Sequence, residues 1–332
     1  MGDDITGLHH VGHIVHDLNQ AMEHYRRLGF TVPAPAYPVL PRVAGGPAEP
    51  FGVANTHVYF PGNFIELVAV IDDTARMPGE ARPMPLQVPD DKLPGLLAAI
   101  SATADNITSF LQRFQGLHIV IADTPDIDGV AARLAAAGVG HGGVHAIQRP
   151  VETSTGTTME PARYLEISDP GLPAGRVPEG RIGFAQNAPA QTPHDSQHTD
   201  HPNGATGLIE SVLCVADPAL PELERRYGTY FGQPRDSQTR DGQARNGQVT
   251  RFDQANVTVV AASALADLLP GERPAALPAF AGYAVSVRDI TLTERLLRAN
   301  DVPFTRTGPA EMFVPADAAL GTAIIFRQQH GS

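Results

Sequence analysis

GLHHVGHIV, residues 7–15, decides the fold, because the same phrase returns, altered, three more times along the chain. Leu8, Val11, Ile14 and Val15 give it the apolar, β-branched weight of a buried strand. The segment that follows, residues 17–28, spaces Leu18, Met22, Tyr25 and Leu28 along one helix face. The strand carries His9, His10 and His13. Side chains alternate between the faces of a strand, so His10 and His13 share a face only through a bulge.

Beyond the helix, GFTV (29–32) predicts a second strand and the Pro/Gly-rich residues 33–50 a loop. VANTHVYF (53–60) and NFIELVAV (63–70) flank a Pro61-Gly62 turn and predict a hairpin. The unit is therefore β-α-β-β-β. Glu66 stands inside the apolar FIELVAV run, where an ionised carboxylate is costly unless it meets a cation, a metal or several donors. His57, two residues from Asn55, is a candidate to line the same cup. Residues 71–115 interrupt the pattern as a lid or inserted arm with a helical piece near 105–114. The phrase then returns as GLHIVIADT from Gly116, with a helix over 125–138, a short strand at 144–148, a turn-rich VETSTGTT and a last strand RYLEISD (163–169). Laying GLHH on QGLH sets His118 opposite His10; laying FIEL on RYLEI sets Glu166 opposite Glu66. Two modules that pair would bring two imidazoles and two carboxylates together, a donor set suited to one divalent ion such as Ni, Zn, Co, Mn or Fe(II) with positions open to substrate.

These residues resemble the vicinal oxygen chelate superfamily, and within it the glyoxalase-like branch akin to glyoxalase I, bleomycin-resistance proteins and extradiol dioxygenases. HHVGHIVHDLNQAMEHYRRLGF is similar to the superfamily's first strand and helix, GVANTHVYFPGNFIELVAV to its third and fourth strands, and GLHIVIADTPDIDGVAARLAAAG to the opening of a second module. The match covers residues 5–170. It implies paired βαβββ modules around a metal held by first and last strands, with His10, Glu66, His118 and Glu166 as the quartet. By the same analogy Glu166 is the proton-transfer carboxylate and Glu66 its counterpart across the metal. The implied activity is a metal-dependent lyase or isomerase acting on a 2-oxo or 2-hydroxy carbonyl compound through an enediolate. The alternatives are an extradiol-type Fe(II) dioxygenase, whose ligands the resemblance places in a second module pair, and a drug-binding protein that performs no chemistry.

A polar stretch, residues 186–206, reads as a flexible linker, with His194, His198 and His201 solvated. GLIESVLCV from Gly207 puts Glu210 at the His10 place, and the third unit ends in NVTVVAA (256–262) without an acidic residue. The fourth runs from AGYAVSVRD at Ala281 to GTAIIFR (321–327) and has neither the His nor the Glu. The expected architecture is α+β: four βαβββ modules in two pairs, each pair a cupped mixed sheet. Residues 1–185 would carry the metal, with modules at 7–70 and 116–170, and 207–329 would form a second pair without one.

Composition narrows the partners. A net charge of -12 argues against nucleic acid or an anionic membrane surface, leaving a small molecule, and a homodimer is compatible with it. The acidic start MGDDITG and the lack of any apolar run near 18 residues predict a cytoplasmic protein. The single Cys214 sits in apolar VLCV and reads as packing. GVGHGG (138–143) follows a helix, so it lacks the strand-to-helix geometry of a phosphate cradle. No nucleophile elbow is present. Arg26, Arg27, Arg225 and Arg226 are predicted to face water.

Overall fold

The computed structural model describes residues 4–71, 79–153, 156–187, 196–234 and 248–329. The first repeat forms β1 (Gly7–Ile14), α1 (Leu18–Arg27), β2 (Ala36–Pro41), β3 (Ala48–Pro50), β4 (Val53–Tyr59) and β5 (Phe64–Val70). A short β6 (Arg82–Pro85) and a long α2 (Leu93–Arg113) occupy the interruption. The second repeat forms β7 (Gly116–Asp123), α3 (Ile127–Ala136), β8 (His145–Thr153), β9 (Gly156–Glu166) and β10 (Arg181–Asn187). The repeat logic extends to the helix starts. Asp17 accepts from Gln20 N and Asp126 from Gly129 N, each at 3.0 Å, so one side-chain cap opens both α1 and α3.

These strands join in one mixed sheet of order β3-β2-β4-β5-β1-β7-β10-β9-β8, with β6 against β2. The two repeats meet at the antiparallel β1–β7 pair, and each first strand is flanked on its other side by a parallel partner, β5 for β1 and β10 for β7. After α4 (Ser196–Thr199) the plan is repeated. β11 (Ala205–Val215), α5 (Leu220–Phe231), β12 (Val249–Phe252) and β13 (Val257–Ala261) lead to β14 (Ala279–Val287), α6 (Ile290–Ala299), β15 (Thr305–Gly308), β16 (Glu311–Val314) and β17 (Ala323–Gln328). Their sheet has the order β12-β13-β11-β14-β17-β16-β15. The architecture is α+β with two mixed sheets, as expected.

Alternation sorts the first sheet's residues into two layers. Leu8, Val11, Ile65, Leu67, Leu117, Val120, Leu165 and Ile182 pack on α1 and α3 in a core shared with the second half. Ile14, Val68, Ile119, Ile121 and Ala185 face the other way and meet Ile107 and Phe110 of α2. The interruption at 71–115 is thus more than an arm: its helix lies on the inner face of the sheet, where the repeat predicts a cup.

Several sequence expectations change. Residues 29–32 form no strand, and the stretch 33–50 that reads as a loop holds β2 and β3. The last strand of the second repeat is β10 and not the RYLEISD segment, which ends the penultimate β9; β10 is the one that lies parallel to β7, as β5 does to β1. The end of the supposed linker is docked: His201 is buried, accepts from Thr31 N at 3.0 Å and bonds the Tyr59 carbonyl at 2.9 Å. His194 lies outside the described residues. Arg226 does not face water, because it pairs at 2.7 Å with Glu179, which also accepts from the Tyr227 hydroxyl at 2.9 Å.

Glu179 belongs to the first half and Arg226 and Tyr227 to α5, so this fully buried acid ties the halves together. Glu179→Gln is expected to destabilise the protein by about 1.5–3 kcal/mol, the worth of a hydrogen bond to a charged group. Denaturant titration checks it, and an unchanged midpoint would refute the tie. No helix among the described residues is long and apolar enough to cross a membrane.

Candidate functional site: the inner face of the first sheet

Register, rather than the spacing of letters, decides what meets on the inner face. One transverse row runs His57–Glu66–Gly12–Ile119–Arg181 across β4, β5, β1, β7 and β10. The neighbouring row runs Tyr59–Phe64–His10–Ile121–Gly183–Glu166 and continues onto β9. Each row carries one glycine, Gly12 in the first and Gly183 in the second. A Cβ on Gly12 would lie 2.7 Å from the Ile119 Cβ, and one on Gly183 would lie 2.5 Å from the Leu165 carbonyl oxygen. The missing side chains let Ile119 and Ile121 form an apolar floor, with polar groups at both ends.

At one end stands Glu66. Asn55 donates to its Oε1 at 2.7 Å, and His57 Nε2 lies 4.0 Å from the same oxygen. The Tyr59 hydroxyl is 3.0 Å from His57 Nδ1; a hydroxyl donating there leaves the Nε2 proton directed at Glu66. Burial raises the Glu66 pKa, against the hydrogen bond from Asn55 and the positive charge of Arg181, which lower it. At the other end Arg181 Nε lies 3.3 Å from Glu166 Oε1, so one guanidinium acts on both predicted carboxylates. His57 lines the cup as its alternation allowed. Arg181 was not singled out, because taking RYLEISD as the last strand ended the unit before RIGFAQN; the apolar alternation of that stretch was the available signal.

The four predicted ligands do not share one coordination shell. His10 stacks on Phe64 with ring centroids 4.6 Å apart and its Nδ1 2.7 Å from that of His9, which Asn187 holds at 2.8 Å. His118 is a bulged residue between the Gly12–Ile119 and His13–Leu117 rungs, and its equivalent is His9, bulged in β1, instead of His10. Its ring lies against Phe110 and Phe114, with centroids 5.0 and 4.2 Å away, and Nε2 donates to the Phe114 carbonyl at 2.9 Å. Burial, then the charges of Arg113 and Arg176, hold its pKa down to about 4. The place that matches Glu66 in the second repeat is Gly183, which has no room for a side chain. Among the described residues no three His, Cys, Asp or Glu side chains are grouped to hold a metal.

A divalent ion is what the resemblance implies, and this donor set does not fit one: His118 Nε2 donates to the Phe114 carbonyl, Glu166 is paired with Arg181, and the positive charge of Arg181 also acts on Glu66. Wild-type protein and His118→Ala, dialysed and offered one equivalent of Ni²⁺ or Mn²⁺, are expected to retain the same small amount. One ion per chain in the wild type, lost in His118→Ala, would restore the quartet.

The second sheet answers its own expectation differently. Glu210, at the His10 place, accepts from Thr258, which stands at the Glu66 place, and from Arg327 Nη1 at 2.8 Å. Arg327 also pairs with Glu311 at 2.6 Å, and the charge of Arg327 holds Glu210 below the usual carboxylate range against its burial. Leu265 and Leu269 pack on the same inner face. His330, considered as a partner of Glu210, lies outside the described residues. Cys214 is buried and its thiol is pushed up to about 11, consistent with packing. A cavity of about 290 Å³ between the halves is lined by Phe114, Glu272, Arg273, Phe280, Asp317 and Leu320, away from Glu66.

Comparison with known proteins agrees with this layout. A hypothetical protein from Staphylococcus aureus is 12% identical and aligns over 97% of this chain and 99% of its own, with a TM-score of 0.55. A triple mutant of 4-hydroxymandelate synthase from Streptomyces coelicolor is 14% identical over 99% of this chain and 94% of its own, with a TM-score of 0.54. At such identities the likeness speaks for the fold alone. No curated protein matches the chain in sequence. The family model described as a glyoxalase-like domain matches residues 8–231 and so takes in both halves of the β1–β7 sheet and its inner face. The chain belongs to the glyoxalase-like domain family.

Proposed function

We propose that the inner face of the first sheet catalyses proton transfer at a carbon next to a carbonyl, as a glyoxalase-like lyase or isomerase acting on a small 2-oxo or 2-hydroxy carbonyl compound. One observation carries the reading: Glu66 and Arg181 stand in a single row with Gly12 and Ile119 between them, and the charge of Arg181 acts on Glu66. A base and a fixed cation across a short gap are what enolisation needs. Glu66 takes the proton from carbon, and the electron pair of that C–H bond moves onto the carbonyl oxygen. The guanidinium of Arg181 faces that oxygen as its charge develops. Returning the proton to the former carbonyl carbon, with the hydroxyl proton passing from one oxygen to the other, completes an isomerisation, and expulsion of a leaving group from the carbon β to the carbonyl completes an elimination. His57 is within reach to relay the proton.

This reading gives the base role to Glu66 instead of Glu166, because Glu166 lies against Arg181 while Glu66 has the raised pKa. No step is drawn through a metal. A second reading, ligand binding without chemistry, is favoured by α2, whose Ile107 and Phe110 take up part of the inner face. Incubation in deuterated buffer with a panel of 2-oxo aldehydes, their thiol hemithioacetals and 2-hydroxy carbonyl compounds separates the two. Protein-dependent deuterium uptake at carbon supports catalysis; ligand-induced stabilisation with no uptake supports binding alone.

A further inference from the structure

The cavity of about 290 Å³ between the two halves takes in no residue of the Glu66 row. It has room for roughly ten waters at the liquid's share of about 30 Å³ each. Three stretches far apart in sequence build it: Phe114 just past α2, residues 272–281 leading into β14, and residues 316–321 ahead of β17. The space exists because small side chains surround it, Ala275, Ala279, Ala281 and Ala316 all being in its wall. Ala279, Phe280 and Ala281 are buried and make an apolar floor. Arg273, Ala275 and Asp317 are exposed and make the rim. An apolar concavity at a junction, with a few polar groups at its mouth, is the usual form of a small-molecule site.

The charged groups in this wall carry both signs. Glu272 accepts from the Ala316 amide at 3.2 Å, which fixes its carboxylate against the segment that carries Asp317. Burial raises the Glu272 pKa against that hydrogen bond, and the charge of Asp317 raises it further. Two carboxylates brought together from different segments disfavour each other's ionised form unless a cation joins them. Arg273 does not do so as an ion-pair partner: among the described residues it pairs with no carboxylate, and Asp317 pairs with no cation. The cavity therefore offers two carboxylates and an uncommitted guanidinium around an apolar floor.

We propose that this cavity is a second small-molecule site, separate from the Glu66 row, and that it takes a free α-amino acid with a short apolar side chain. The ammonium of the ligand meets Glu272 and Asp317, its carboxylate meets Arg273, and its side chain lies on the alanine floor beside Phe280. A lone amine would leave the guanidinium unmatched, and a lone carboxylate would leave the two acids unmatched, so a zwitterion answers the wall best. Glu272 and Arg273 are consecutive residues, which presents the two signs close together, as the α-carbon of an amino acid does. Phe114 follows α2 while the other walls belong to the second half, so an occupant ties the end of that helix to the second half.

Calorimetric titration of the full chain with L-leucine, 3-methylbutylamine and 4-methylpentanoate tests this, the last two being leucine without its carboxylate and without its ammonium. Leucine is expected to bind roughly 10-fold or more tighter than either, the equivalent of one charge-assisted contact. Arg273→Gln should weaken leucine by about 10-fold and leave the amine unchanged, whereas Asp317→Asn should weaken both. Ala275→Trp changes an exposed rim position, where the fold has little reason to respond, and should close the cavity and abolish leucine binding. Leucine should also raise the hydrogen-exchange protection of the last turn of α2, because a ligand that bridges two segments favours the state in which they are joined. No leucine binding up to its solubility limit, equal affinity for all three compounds, or leucine affinity unaltered in both Ala275→Trp and Arg273→Gln overturns the site. Deuterium exchange at carbon does not enter this test, since none of the varied residues belongs to the Glu66 row, so the site and the proton-transfer reading stand or fall separately.

Discussion

Glu66→Gln is expected to lower the rate of carbon-bound deuterium exchange by roughly 10² to 10⁴, the usual effect of losing a general base. The substitution keeps the shape of the side chain and a hydrogen-bonding oxygen for Asn55, so the fold has little reason to respond. What it removes is basicity. The pH dependence carries the same signature. Only the ionised carboxylate accepts a proton, and burial raises the pKa of Glu66, so the wild-type rate should climb with pH through a value above the ordinary carboxylate range. Asn55 donates to the ionised form and opposes that shift, and Asn55→Ala should therefore move the climb to higher pH. A pH–rate profile of kcat/KM for the three proteins reads both effects. Full turnover in Glu66→Gln together with its loss in Glu166→Gln would return the base role to Glu166.

Phe110→Ala is expected to be among the most destabilising single changes in the first half, by about 3–5 kcal/mol. Phe110 is fully buried among Ile14, Val68, Ile107, Ile119 and Ile121, stacks on His118 and carries Arg176 over its outer face. Truncation leaves a cavity that the sheet, pinned by its ladders, cannot close. The effect should concentrate on α2, which is the one layer over this face that can move away as a unit. Hydrogen exchange of the α2 amides, alongside a denaturant midpoint, distinguishes local release from global unfolding. A loss under about 1 kcal/mol with unchanged α2 protection would mean that the helix is held by something other than this face.

The position of α2 bears on function as well as stability. Its last turn supplies Arg113 and the aromatic ring of Phe110 that stacks on His118. Among the described residues the second sheet has no comparable site. There Glu210 is closed between Thr258, Arg327 and their neighbours, and Leu265 and Leu269 cover the face. That sheet shares its core with the first and meets it through contacts such as Tyr25 to Tyr283, whose hydroxyls lie 2.6 Å apart with His13 Nδ1 2.8 Å from the first.

Much of the molecule was legible in the sequence because its signals are local. The returning GLHHVGHIV phrase predicted first strands at β1, β7, β11 and β14, and apolar residues at helical spacing predicted α1. The Pro61-Gly62 turn predicted the β4–β5 hairpin, and period-two alternation put Asn55, His57 and Glu66 on one face. Strand periodicity and helix capping involve neighbours within a few residues, so a single chain displays them. What the tertiary structure alone decided is register. Bulges at His9 and His118 shift the two first strands so that His118 matches His9 and leaves the row, and a last strand one element later than expected puts Gly183 where a second Glu66 was read. A bulge changes facing by a single residue without altering composition, and strand pairing across more than a hundred residues is set by the packing of the whole sheet. The same holds for Arg181 and for α2: nothing local in RIGFAQN or in residues 93–113 states that one will face Glu66 and the other will cover the sheet, because both depend on the surface that folding creates.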